Sequence, residues 1–255
     1  MNALAIAIWF LKDTLQPKRA VTAVLLGIIG PLFALLFRAF GFTPAETYDA
    51  SVQLGIFSAT LVLAAIAYGG GIVTSEVLGR TIPLLLTRPV PRWTLFMGKW
   101  LGAIVLTAAI SVVACFLTAV LSFGIEFDTN MLLRDMLVLS AGAVTYVSLF
   151  GLLSVLSKRA WLIAAIFGFF WETWVTYVPG DFRRLSVMTY LKQLSPHADV
   201  GGQESPLEAL SEAFQTAPID PLTCWNTLAV LTILSLAVSI AVFSTAEFLP
   251  TEEAG

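Results

Sequence analysis

The sequence predicts an all-α membrane protein. It would have six transmembrane helices, an N-terminal interfacial helix, a short cytoplasmic helix between spans two and three, and external loop helices between spans five and six. Two observations carry that fold class. Hydrophobic residues fill 58% of the 255 positions and charged residues only 12%, about half the charged share of a soluble domain. The mean hydropathy is +0.87, and 18 Phe with 7 Trp supply more apolar surface than one water-solvated core consumes. Backbone polar groups in lipid must be satisfied within the chain, and no barrel-type dyad alternation is present, so the spans are helical.

In chain order, residues 1–19, MNALAIAIWFLKDTLQPKR, read as a helix lying along the inner membrane surface. Ile6, Trp9 and Phe10 would face lipid, and Lys12, Lys18 and Arg19 the headgroups. The apolar run Ala3 to Leu11 has no basic residues before it and no small-residue cleavage site after it, so no cleaved signal peptide is expected. About 20 residues at roughly 1.5 Å each cross a hydrocarbon core of about 30 Å. Six stretches meet that length: Ala20–Phe37, Val52–Val73, Leu101–Phe123, Met136–Leu156, Trp161–Val178 and Leu222–Phe243. The chain is expected to form one transmembrane domain over residues 1–255, with 1–19, 76–99 and 179–221 outside the spans.

Lysine and arginine fix the orientation. Lys12, Lys18, Arg19, Arg80, Arg88, Arg92, Lys99, Lys158 and Arg159 lie on the N-terminal side, nine of the 14 basic residues. Both termini are therefore expected in the cytoplasm of a multi-pass protein of the cell (inner or plasma) membrane. A net charge of −3, with no basic stripe interleaved with aromatics, excludes a nucleic-acid partner. Cys115 and Cys224 lack metal or redox spacing and read as inert thiols.

Two features lie at membrane depth. Gly69, Gly70 and Gly71 weaken a helix but permit close helix packing or a hinge. Glu172 is the one acidic residue well inside a span; it must pair, face the interior or hold a proton. Arg183, Arg184, Thr176 and Tyr177 are its candidate partners, and it would act either as a gate residue or as a hydrogen-bonding anchor of the outer loop. In that loop, Ser205-Pro206-Leu207-Glu208 has capping-box spacing, with Leu207, Leu210 and Phe214 at helical intervals. The single histidine, His197, has no ligand spacing around it and reads as an ordinary loop residue.

The most informative stretch is GRTIPLLLTRPVPRWTLFMGKW, preceded by Glu76. Thr81 is a good N-cap, Pro83 fits a first turn, and Pro89 ends the helix after Arg88. A helix of barely two turns is unstable alone and must dock on something. Leu84, Leu85 and Leu86 point in different directions, while Arg80, Arg88 and Arg92 suit either acidic protein groups or anionic headgroups.

The order Glu76, Thr81, Leu84 to Leu86, Pro89, Arg92 and Lys99 resembles the cytoplasmic segment of ABC exporter permeases that are encoded separately from their ATPase. A weaker likeness continues at Trp171-Glu172, Pro179-Gly180 and Tyr190-Leu191. This chain departs from the family in having Arg80 before the Thr, where Gly is frequent, and Val77-Leu78 where acidic residues are common. The resemblance implies a permease subunit whose residues 76–99 form a coupling segment. Glu76, Arg80, Thr81, Leu84, Leu85, Leu86, Arg88, Pro89 and Arg92 would contact the ATPase. It implies an ABC ATPase partner and a second permease copy or paralogue, besides the lipid membrane. No cofactor is expected in this chain, because it lacks the G-x-x-x-x-G-K-[ST] phosphate loop; ATP and Mg would be bound by the partner ATPase. The residues themselves leave two alternatives. An ion-coupled secondary transporter should show inverted repeats or paired intramembrane charges, and an intramembrane enzyme needs a base beside its nucleophile.

Overall fold

The computed structural model describes residues 3–14, 16–73, 91–157, 159–175, 184–195, 197 and 219–245, without the side chains of residues 17–19, 92, 173 and 174. All the regular structure among them is helical. The helices are α1 (Ala3–Thr14), α2 (Pro17–Ala39), α3 (Pro44–Val73), α4 (Arg92–Phe123) and α5 (Thr129–Leu156). They continue with α6 (Ala160–Trp171, extended by the turn Glu172–Val175), α7 (Val187–Leu194) and α8 (Pro221–Thr245).

Local chemistry sets the boundaries. Pro17 opens α2 where no intrahelical N–H is lost. Thr43 caps α3 with a capping box: its backbone N–H and hydroxyl donate to Glu46 Oε2 at 2.9 and 2.8 Å, and Glu46 N–H returns to the hydroxyl at 3.4 Å. Asp128 caps α5 by accepting the Asn130 N–H at 2.9 Å. Gly41 and Gly124, at φ +85° and +74°, turn the chain after α2 and α4, in a region other residues avoid. Within α3, Ser51–Leu61 adopts a wider π-type turn, and the Thr60 hydroxyl donates to Gly55 O at 2.8 Å inside it.

Five of these helices, α2 to α5 and α8, are long and apolar enough to cross a membrane. The expected fifth span is the shorter α6 among the described residues, and 176–178 lie outside them. Helices also begin before the hydrophobic windows do: α3 at Pro44 instead of Val52, α4 at Arg92 instead of Leu101, α5 at Thr129 instead of Met136. Hydropathy marks where lipid solvates a helix, whereas caps mark where its hydrogen bonding starts.

The bundle is built around α3, which packs on α2, α4 and α5. Val52, Ile56, Phe57, Leu61 and Ala65 on it are fully buried. Where α2 crosses it, a Cβ on Gly55 would lie 3.1 Å from Gly30 Cα, so two glycines let the backbones approach. α2 and α8 instead turn Val24, Leu25, Leu32, Val230, Ile233 and Leu234 outward, as lipid-facing surfaces do.

One expectation fails at the N-terminus. Ile6 is 4% exposed and Phe10 packs on the core; of the three apolar side chains assigned to lipid, only Trp9 is exposed. The cause is α4: a Cβ on Gly98 would come within 2.6 Å of Ile6 Cβ, and one on Gly102 within 2.6 Å of the Phe10 ring. Two glycines four residues apart form a groove that admits α1.

Candidate functional site

At one end of the bundle α3 leads out at Val73 and α4 returns at Arg92. The residues between them, including Glu76, Arg80, Thr81, Leu84, Leu85, Leu86, Arg88 and Pro89, lie outside the described residues, as does the helix expected around Leu207. Arg92 is the first residue of α4, and its side chain is not among those described. The described flanks are tied together. Lys99, 8% exposed, donates from Nζ to Ile72 O at 3.2 Å, placing a cation on the C-terminal carbonyls of α3. Of the three adjacent glycines, Gly69 faces α5, where a Cβ would meet Val147 Cα at 3.1 Å, whereas a Cβ on Gly71 meets nothing within 4 Å among the described residues.

The opposite end holds two buried polar clusters, one at each end of α7. Glu172, at the end of α6, is 2% exposed. Its carboxylate accepts the Ser186 hydroxyl at 2.5 Å, the Val187 N–H at 3.2 Å and the Met188 N–H at 2.9 Å. Ser186 in turn caps α7 by accepting the Thr189 N–H at 3.4 Å. Glu172 thus supplies acceptors to the first turn of α7, where unpaired N–H groups need them. Of the partners that the sequence suggests, Thr176, Tyr177 and Arg183 lie outside the described residues.

Beyond the C-terminus of α7, His197 turns back into the bundle with its side chain 1% exposed. Its Nδ1 lies 2.8 Å from Asp49 Oδ1 on α3, and its Nε2 lies 3.2 Å from Asp135 Oδ1 on α5. Asp135, fully buried, also accepts the Ser195 hydroxyl and, at 2.7 Å, the Tyr48 hydroxyl. The Tyr48 ring stands edge-on to the imidazole at 5.8 Å, its oxygen 3.6 Å from Cys115 Sγ. Gln53 Nε2 donates to His197 O at 2.9 Å.

Both ring nitrogens can donate to carboxylates only as an imidazolium. Burial lowers the pKa of His197, but hydrogen bonding to and charge from Asp135, then Asp49, outweigh it and raise the group above its ordinary value. The expectation of an ordinary loop histidine is therefore overturned: His197 is buried and bridges Asp49 on α3 and Asp135 on α5 to the chain beyond α7. The interior also holds a second carboxylate, Asp135, and a buried lysine, Lys99, where the sequence suggested Glu172 alone. Asp135 falls one residue before the hydropathy window, and only the folded helix takes it inside.

Ser195 Oγ lies 3.3 Å from His197 Nε2, so Ser195, His197 and Asp49 superficially resemble a nucleophile, base and orienting acid. The serine hydroxyl is directed to Asp135, and Ser195 is 1% exposed. A base needs a free Nε2 lone pair, and here that nitrogen faces a carboxylate. Cys115 and Cys224 are buried free thiols. Among the described residues no group of His, Cys, Asp and Glu is arranged to hold a metal ion.

Residues 8–248 match the family described as ABC-2 family transporter protein. No curated protein matches the chain.

Proposed function

Since the chain belongs to the ABC-2 family of transporter proteins, we propose that it is the membrane-spanning permease subunit of an ATP-driven exporter. The family match over nearly the whole chain carries this reading. In it α6 completes a sixth crossing, both termini are cytoplasmic, and the α7 end of the bundle is external. α1 belongs to the cytoplasmic end, held against α4 through Gly98 and Gly102, and borders the inner membrane surface. The substrate path forms between this chain and a second permease copy or paralogue. ATP and Mg bind in a separate ATPase.

Motion of that ATPase enters through residues 76–99. The direct link between the flanking helices, Lys99 to Ile72 O, supports the reading, because a displacement delivered there moves α3 and α4 together. No covalent step is assigned to this chain. Reconstitution with a candidate ABC ATPase from the same genome, screened for compounds that stimulate ATP hydrolysis, tests the reading and identifies the substrate class. An ATPase that neither binds the chain nor changes its hydrolysis in its presence would overturn it.

A further inference from the structure

We propose that α7 is a strap hinged at Glu172 and latched at His197, with the latch holding while the imidazole is protonated and releasing when it loses its proton. The two ends of α7 are pinned by different chemistry. At the N-terminal end the donors to Glu172 from the start of α7 are a hydroxyl and two backbone amides, none of which titrates in the ordinary pH range. At the C-terminal end His197 bridges Asp49 and Asp135 from two other helices, beside two bonds that need no titrating proton, the Ser195 hydroxyl to Asp135 and Gln53 Nε2 to His197 O. That bridge needs two ring N–H donors, so one proton decides whether it is complete.

The groups facing the imidazole make the latch sensitive to that proton. Asp49 and Tyr48 face it from α3 and Asp135 from α5, Ser195 reaches it from the end of α7, and Cys115 on α4 lies behind Tyr48. As imidazolium, His197 offsets part of the charge of two carboxylates. As neutral imidazole it leaves one carboxylate facing a ring nitrogen lone pair, which repels it. The sign follows from the raised pKa: the latch is fully present below the ordinary histidine value and is lost as pH rises through the folded value. Loss of the bridge with Glu172 still engaged leaves the end of α7 on the Ser195 and Gln53 bonds alone, so its last turn loosens about a first turn that stays held. In the orientation proposed above, the pH sensed is that of the external compartment, but the latch itself does not depend on the transport reading.

The chain contains one histidine, so 15N-labelled imidazole reports on this residue alone. The full chain, carrying a histidine-free affinity tag and held in lipid nanodiscs, is titrated by NMR together with D49N and H197Q. Protection of the α7 amides is followed by hydrogen exchange corrected for intrinsic rates. Both ring nitrogens should carry protons below a midpoint that lies above the ordinary 6.5, and D49N should lower that midpoint by about 1–3 units. In the wild type, protection in the last turn of α7 should fall through the same midpoint while Val187 and Met188 stay protected; H197Q should lose the pH dependence. A midpoint at or below 6.5, or α7 protection indifferent to the titration of His197, would overturn the latch.

Discussion

The Met188 N–H donates to Glu172 Oε2 at 2.9 Å, across sixteen positions of sequence. The carboxylate that ends α6 is thereby the acceptor for the first turn of α7. Replacing Glu172 by Gln leaves one oxygen in place, whereas Ala leaves the Ser186, Val187 and Met188 donors with no oxygen at that site. An unsatisfied buried donor costs about 1–3 kcal/mol, so Glu172→Ala should be clearly the more destabilising in thermal unfolding. Equal and complete loss of transport in both, with assembly intact, would show instead that the charge itself is required.

Gly98 and Gly71 should respond oppositely to the same change. A Cβ on Gly98 meets Ile6 Cβ at 2.6 Å and Ala3 O at 2.8 Å, while one on Gly71 meets nothing within 4 Å among the described residues. Gly98→Ala should loosen α1 and cost about 1–3 kcal/mol. Gly71→Ala should be neutral or stabilise by up to about 1 kcal/mol through reduced backbone freedom. Melting temperatures, with hydrogen exchange resolved over α1, distinguish the two; a harmless Gly98→Ala would contradict the close packing.

Leu85→Asp and Arg92→Asp test the segment between α3 and α4. If it docks on an ATPase, a buried unpaired charge or a reversed one should weaken co-purification and uncouple hydrolysis from the permease, with the spans still inserted. Unchanged binding and coupling in both variants would reduce residues 76–99 to a basic inner loop.

Orientation is checked by labelling. A cysteine introduced at Glu208 should react with an impermeant reagent from outside, and tags on either terminus should be reached only from the cytoplasm. Labelling at Glu208 only after the inner face is opened would invert the topology.

Hydropathy and charge made the class of fold legible because lipid selects on composition, and composition is local. Local signals also set helix starts: Thr43 and Glu46 stand in capping-box spacing, the same pattern read at Ser205 and Glu208, and they place the start of α3 eight residues ahead of its apolar window. The links of His197 to Asp49 and Asp135 join positions 148 and 62 residues apart. No periodicity encodes such a meeting, and a lone histidine between Pro196 and Ala198 looks like any loop residue. Ile6 and Phe10 were misjudged for a related reason: an amphipathic helix shows that it has an apolar face, but whether lipid or protein covers that face depends on Gly98 and Gly102, far along the chain.

That same separation bears on how the protein is made. Ile6 and Gly98 are about ninety residues apart, so at about 5–20 residues per second the ribosome takes roughly 5–20 s to supply the groove after α1 has emerged. Throughout that interval Ile6 and Phe10 lack the groove that covers them in the folded bundle, so the seat of α1 is completed only once Gly98 and Gly102 have been made.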